Sequence, residues 1–210
     1  MTKKNFNFRL LLTVGMATVV FNSCGNLGGS NNSSTTDTGV VINGVKWATC
    51  NVGVPGTFAA NPESPGMLYQ WNRKQAWSAA GTITGWDNTA PAGTEWEKSN
   101  DPSPKGWRVP TTEEQQTLFH AGKVTNEWTT QNGVTGRKFT DIATGNSLFL
   151  PAVGQRDGSD GTLNYADTIG NYWSSTASKP DAVYLLFTST FADWGISARH
   201  FGLSVRAVAE

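Results

Sequence analysis

Pro110-Thr111-Thr112-Glu113-Glu114, followed by Leu118-Phe119 and Gly122, is the stretch on which the fold class turns. Thr111 stands at an N-cap position, and Glu114 is placed to return the hydrogen bond as a capping box. Leu118 and Phe119 supply an apolar stripe, and Gly122 fits the stop just past a helix end. The pattern predicts a helix over 112–121 in a chain that otherwise reads as short strands and turns. Working outward, Val40-Val41-Ile42, Asn43-Gly44 and Val45-Lys46-Trp47 read as two strands joined by a type I′ turn, because Asn-Gly tolerates the two positive φ angles that this turn needs. Residues 51–66, rich in Pro and Gly, read as loop. Gln70 to Ala80 reads as a second short helix, with Trp71 and Trp77 near helical spacing and destined for the core. Asn132-Gly133 predicts another turn, Leu148-Phe149-Leu150 and Tyr172-Trp173-Ser174-Ser175 buried strands, and 182–187 and 204–208 the closing strands. The fold class is therefore α+β, loop-rich, with short antiparallel strands and one or two helices.

Composition agrees. The 210 residues hold 16 basic and 16 acidic side chains, only 15% charged residues, 23 Gly, 9 Trp and 10 Phe. A helical bundle would carry more Glu, Lys, Leu and Ala. Zero net charge argues against a nucleic-acid partner, which would need a basic excess to neutralise phosphate. At 38% hydrophobic and 11% aromatic, the chain has enough apolar mass for a core.

The first residues read as a targeting segment. Lys3, Lys4 and Arg9 precede the apolar run Leu10–Phe21, too short to span a bilayer but suited to a secretion signal. The run ends in Phe21-Asn22-Ser23-Cys24, which resembles the lipobox of bacterial lipoproteins, with Phe21 and Asn22 where Leu and a small residue are more usual. That resemblance implies a signal peptide over 1–23, lipidation of Cys24 and a membrane anchor; ordinary signal cleavage is the alternative. Residues 24–39 (CGNLGGSNNSSTTDTG) have a linker's composition, with a reach of roughly 20 Å. The domain itself is expected over 40–210. Loss of 1–23 removes Lys3, Lys4 and Arg9 and no acid, leaving 13 basic against 16 acidic groups, a net of −3. Attachment would then come from lipid and not from a basic face. With Cys24 lipidated, Cys50 would lack an intrachain partner. Two cysteines and two distant histidines, His120 and His200, offer no metal-ligand spacing, and no cofactor is expected.

Five segments resemble one family in order: Val45–Gly53 (VKWATCNVG), Pro104–Thr111 (PKGWRVPT), Leu150–Gly154 (LPAVG), Tyr172–Thr176 (YWSST) and Gly202–Val208 (GLSVRAV). They are similar to the Fibrobacter succinogenes major paralogous domain of exported bacterial proteins, over about residues 40–209. That resemblance implies a C-type-lectin-like fold of the formylglycine-generating-enzyme-like branch, its first and last strands paired and a loop-rich face for ligand. One departure stands out. The family often has a Cys before the Pro-x-Gly-Trp-Arg motif, a partner for a cysteine placed like Cys50, where this chain has Ser103.

A second resemblance is narrower. Residues 182–206 (AVYLLFTSTFADWGISARHFGLSVR) look like the variable region of proteins diversified by retroelements, in which random copying of template adenines frees two positions of a codon ending in a pyrimidine. Such codons cannot encode Lys, Glu, Gln, Met or Trp. The resemblance implies a fixed frame of Ala182, Leu185, Phe187, Ser189, Ala192-Asp193-Trp194, Arg199 and Gly202–Arg206. The free positions are then Tyr184, Leu186, Thr188, Thr190, Phe191, Gly195, Ile196, Ser197, Ala198, His200 and Phe201, and all are permitted outcomes. Side chains mixed without a period of two between 190 and 201 predict exposed loop positions. Trp194 reads either as a pin at the loop base or as a contact anchor.

Other motifs carry blander readings. Asp157-Gly158-Ser159-Asp160-Gly161 lacks the alternating ligands of a calcium loop and reads as a turn. Glu113 and Glu114 serve the helix start, and Asp193, His200 and nearby serines lack a nucleophile elbow. Trp107, Arg108 and Trp173 read as core and a buried ion pair. The expectation is a non-enzymatic, lipid-anchored cell-envelope protein, outer membrane being the favoured site, that binds a protein or glycan through its C-terminal surface. A structural or fimbria-associated subunit is the alternative, and a formylglycine-generating-type oxidase the remote one.

Overall fold

A computed structural model describes residues 37–210. The lipidation reading at Cys24, the signal segment and most of the expected tether lie outside the described residues. The end of that tether is part of the fold. Asp37 is buried, and its carboxylate accepts hydrogen bonds from the backbone N–H of Gly39 (2.8 Å), Thr49 (2.6 Å) and Cys50 (3.2 Å).

The chain opens with β1 (Val40–Ile42) and β2 (Val45–Trp47), an antiparallel hairpin in the expected register. Asn43 and Gly44 have φ of 45° and 85°, as the type I′ turn requires. After the expected loop come β3 (Met67–Tyr69) and β4 (Ala76–Ser78), paired antiparallel. This corrects the helix expected over Gln70–Ala80. Asn72, at φ 56°, turns the chain, and Trp77 is buried beside its strand partner Leu68 while Trp71 enters a different cluster. Pairing and burial override a spacing that suits either structure.

Next follow β5 (Trp107–Arg108) and α1 (Thr112–Gln116). The capping box forms in full: Glu114 N–H donates to Thr111 Oγ1 and Thr111 N–H to the Glu114 carboxylate. The helix is shorter than expected, because Thr117–Phe119 tightens into a 3-10 turn, the Thr117 hydroxyl donating to the Glu114 carbonyl at 2.7 Å. It is the one α-helix among the described residues.

A meander follows: β6 (Val124–Gln131), β7 (Val134–Asp141) and β8 (Ser147–Pro151), turning at Asn132-Gly133 as expected. β9 (Gln155–Arg156) and β10 (Leu163–Asn164) make a small hairpin around the Asp157–Gly161 turn. The last strands are β11 (Gly170–Ser178), β12 (Asp181–Phe187), β13 (Ala192–Ser197), β14 (Leu203–Ser204) and β15 (Val208–Ala209). The architecture is thus mostly antiparallel strands in several sheets. One sheet runs β1-β2-β15-β5, another β13-β12-β11-β14-β3-β4. The closing strand sits inside the first sheet, against the opening hairpin.

Two corrections concern the C-terminal end. The stretch expected as exposed loop contains β13, an edge strand paired along its whole length with β12. The closing strand expected over 204–208 is split, since the chain leaves one sheet after Ser204 and enters the other at Val208.

Adjacent residues on a strand face opposite ways, and the core divides accordingly. Tyr172, Leu185, Phe187 and Val208 pack with Ile42, Trp47, Leu118 and Phe139. Trp173, Ala182, Leu203, Val205 and Ala207 pack with Ala48, Trp71 and Trp96.

Four of the five segments quoted above meet at one buried node, and the fifth pairs beside it. The Arg206 guanidinium donates to Asn51 Oδ1 at 2.9 Å, to the Ala48 and Thr49 carbonyls and to the Phe149 carbonyl at 3.1 Å. The Tyr172 hydroxyl donates to the Pro151 carbonyl at 2.7 Å. β5, from the Pro104–Thr111 segment, pairs with β15 beside it.

Candidate functional site

The candidate positions lie on the β12–β13 hairpin and the segment after it. Thr188 N–H donates to the Phe191 carbonyl at 2.9 Å and closes the turn. From there the ladder pairs Leu186 with Asp193, Leu185 with Trp194, Tyr184 with Gly195 and Val183 with Ile196. By the alternation of antiparallel pairing, the N–H and C=O groups of Ala192, Trp194 and Ile196 face outward from the sheet edge. The hairpin therefore offers side chains and a row of backbone donors and acceptors.

Burial differs between the two sets of positions, although in the frame Ser189 and Asp193 are exposed and Ala192 and Trp194 half-buried. In the frame expected to be fixed, Ala182, Leu185, Phe187, Arg199 and Gly202–Arg206 are all buried. Among the eleven positions expected to be free, none is buried. Phe191 and Ile196 are the most open apolar groups, 48% and 62% exposed. Their exposure cannot be explained by core packing. The free positions do not form one face. Tyr184, Leu186, Gly195 and Ser197 share one side of the hairpin, and Ile196 lies on the other beside Val183. Thr190 and Phe191 form the tip; Ala198, His200 and Phe201 lie at the far end. Tyr184 is half-buried edge-on to Trp173, and burial raises its phenol pKa. Its ring also covers Gly195, where an added Cβ would come within 2.5 Å of it.

The frame residues hold this surface from behind. Trp194 sits edge-on to Phe119, ring centroids 5.1 Å apart, and pins β13 to the turn after α1. Arg199 lies 4.2 Å over the Trp71 ring and donates to the carbonyls of Asp181, Pro91 and Gly93. Arg137, which the sequence did not single out, donates to the Thr188 carbonyl at 2.9 Å and steadies the hairpin tip. Arg156 donates to the carbonyls of Ser78, Ala80, Gly81 and Gly161, tying loops beside the far end. These arginines carry no sequence signal, because most of their partners are backbone carbonyls of remote residues. Burial lowers the pKa of Arg206, Arg156 and Arg137.

His200 Nδ1 has no hydrogen-bond partner among the described residues, and Asp193 Oδ1 accepts from Trp194 N–H, so the two make no catalytic pair. Among the described residues no group of three His, Cys, Asp or Glu side chains is placed to hold a metal. Asp157 accepts from both the hydroxyl and the N–H of Ser159, which lower its pKa, and it belongs to a turn. Arg108 and Glu114 form the expected ion pair at 2.6 Å, half-buried and not fully so. Trp173 is buried as expected.

Cys50 is buried and disulfide-bonded.

No family model matches the chain, and neither a curated protein nor a solved structure matches it.

Proposed function

We propose that the chain is an exported binding domain whose β12–β13 hairpin is a recognition surface on a constant frame. We read the frame as the C-type-lectin-like, major-paralogous type that its five segments resemble. One observation carries this reading: no position expected to be free is fully buried, while most of those expected to be constant are buried and hold neighbouring segments. The open positions of such a surface, Thr190, Phe191 and Ile196, change their side chains at little cost to folding. The ligand is a protein or glycan, met by Phe191, Ile196 and Phe201 through apolar area and by Tyr184, Thr188, Thr190 and Ser197 through hydrogen bonds.

Sequencing the encoding locus across isolates tests it. The expected result is substitution concentrated at the eleven positions, with a near-repeat template carrying adenines at those codons. Substitution spread evenly over 182–206 would overturn diversification, and residues 184–201 held as constant as the frame would favour a structural envelope subunit.

We further propose an envelope location, through the signal-like 1–23 segment and a lipid on Cys24. The disulfide at Cys50 competes with the lipid, because the chain has two cysteines and one sulfur cannot carry both a thioether and a disulfide. Intact mass of the mature protein decides between them. A diacylglyceryl mass supports the anchor; a loss of two hydrogens without lipid leaves an exported, unanchored domain, consistent with an oxidising compartment.

A further inference from the structure

A groove of about 690 Å³ lies away from the hairpin, lined by Lys74, Trp96, Lys105, Trp107 and Arg108 among others. Its volume falls in the range of small-ligand sites. Its walls are rigid aromatics: Trp96 packs on Trp71, and Trp107 edge-on against Phe58 with centroids 5.5 Å apart.

The carboxylates in and around it are already engaged. Asp101 accepts from the N–H groups of Ser103 and Val109, Glu210 pairs with Lys98 at 2.9 Å, and Glu114 holds Arg108 in a two-bond fork. Lys74 and Lys105 are exposed and make no ion pair among the described residues. Lys74, Lys98, Lys105 and Arg108 stand against the carboxylates of Asp101, Glu114 and Glu210, a positive surplus of one, with the unpaired Lys74 and Lys105 beside indole edges. Thr111 and Ser175 add hydroxyl-bearing side chains to the lining.

β5 is the edge of its sheet here, so an extended peptide could in principle add to it. Its outward donors are spent, however. Trp107 N–H donates to the Pro104 carbonyl at 3.0 Å, and Val109 N–H to Asp101 at 2.9 Å. Recognition must come from ammonium, hydroxyl and indole groups, a set that suits a ring with hydroxyls, an apolar C–H face and a carboxylate. We infer that this groove binds an acidic saccharide of one to three residues, its carboxylate between Lys74 and Lys105.

Calorimetric titration of the full chain with tri-galacturonate and with neutral galactotriose tests this. The acidic sugar should bind at least tenfold more tightly than the neutral one, and more weakly as salt rises. Lys74→Glu/Lys105→Glu should weaken it tenfold or more, while Lys123→Glu/Lys138→Glu, which changes net charge equally elsewhere, should not. Absence of binding, equal binding of the neutral sugar, or indifference to the first double variant would overturn the inference. Equal binding of penta-glutamate with the same lysine dependence would overturn the saccharide assignment. The groove shares none of the hairpin's candidate residues, so either proposal stands if the other fails.

Discussion

Arg206 is 1% exposed and makes no ion pair among the described residues. It is tolerated because its N–H groups are met by oxygens of Asn51, Ala48, Thr49 and Phe149. Arg206→Met keeps much of the volume but leaves those oxygens buried and unpaired. Urea unfolding should show a loss of about 3 kcal/mol, whereas Lys98→Ala, which removes a surface ion pair with Glu210, should stay within about 0.5 kcal/mol. Glu114 gives a pH test. Burial pushes its pKa up, but the Arg108 hydrogen bond and the Thr111 N–H outweigh this, and the net pKa is lowered. A lowered folded pKa means that the ionised form stabilises the fold above the unfolded carboxylate pKa of about 4.3. That contribution fades as pH falls through the folded value. Glu114→Gln should therefore lower the urea midpoint at pH 7, and the gap from wild type should close towards pH 3.

At the scale of elements, the β12–β13 hairpin carries buried and exposed positions on both of its sides. Leu185→Ala empties a core position and should cost about 2–5 kcal/mol, whereas Ile196→Ala, on an exposed side chain, should stay within about 0.5 kcal/mol, both by chemical denaturation. Facing positions on the hairpin are not independent. Because the Tyr184 ring occupies the space over Gly195, Gly195→Leu should destabilise by about 1–3 kcal/mol, and most of that loss should vanish in a Tyr184→Ala background. A double-mutant cycle reads the coupling directly. The elements legible in sequence were those with local chemistry: the Asn-Gly turns, the Thr111–Glu114 box and the alternating apolar runs. β13 was not legible, because its alternation, Ala192, Trp194 and Ile196 against Asp193, Gly195 and Ser197, spans only six residues of an edge strand and is blurred by a glycine and by the exposed Ile196. Nor was β4, since Trp71 and Trp77 are buried in different clusters by partners far along the chain. The exposed candidate positions were legible as a pattern, but their division between two sides and a tip was set by the pairing register.

For the whole molecule, the domain begins earlier than its composition indicates. Asp37 sits in a stretch with a linker's residues, yet it closes the fold onto Thr49 and Cys50. Asp37→Ala in the full chain should cost about 1–3 kcal/mol by leaving those N–H groups with poorer partners; Thr36→Ala, outside the described residues, is the matched comparison, measured by urea unfolding. The position of β15 between β2 and β5 bears on something else, the order of events in the life of the chain. The opening hairpin waits for its neighbour until residues 208 and 209 have been synthesised, so the first sheet cannot close on a nascent chain that lacks them. Contacts over such sequence separation form slowly. A chain of this topology keeps its first sheet open until its residues 208 and 209 are made.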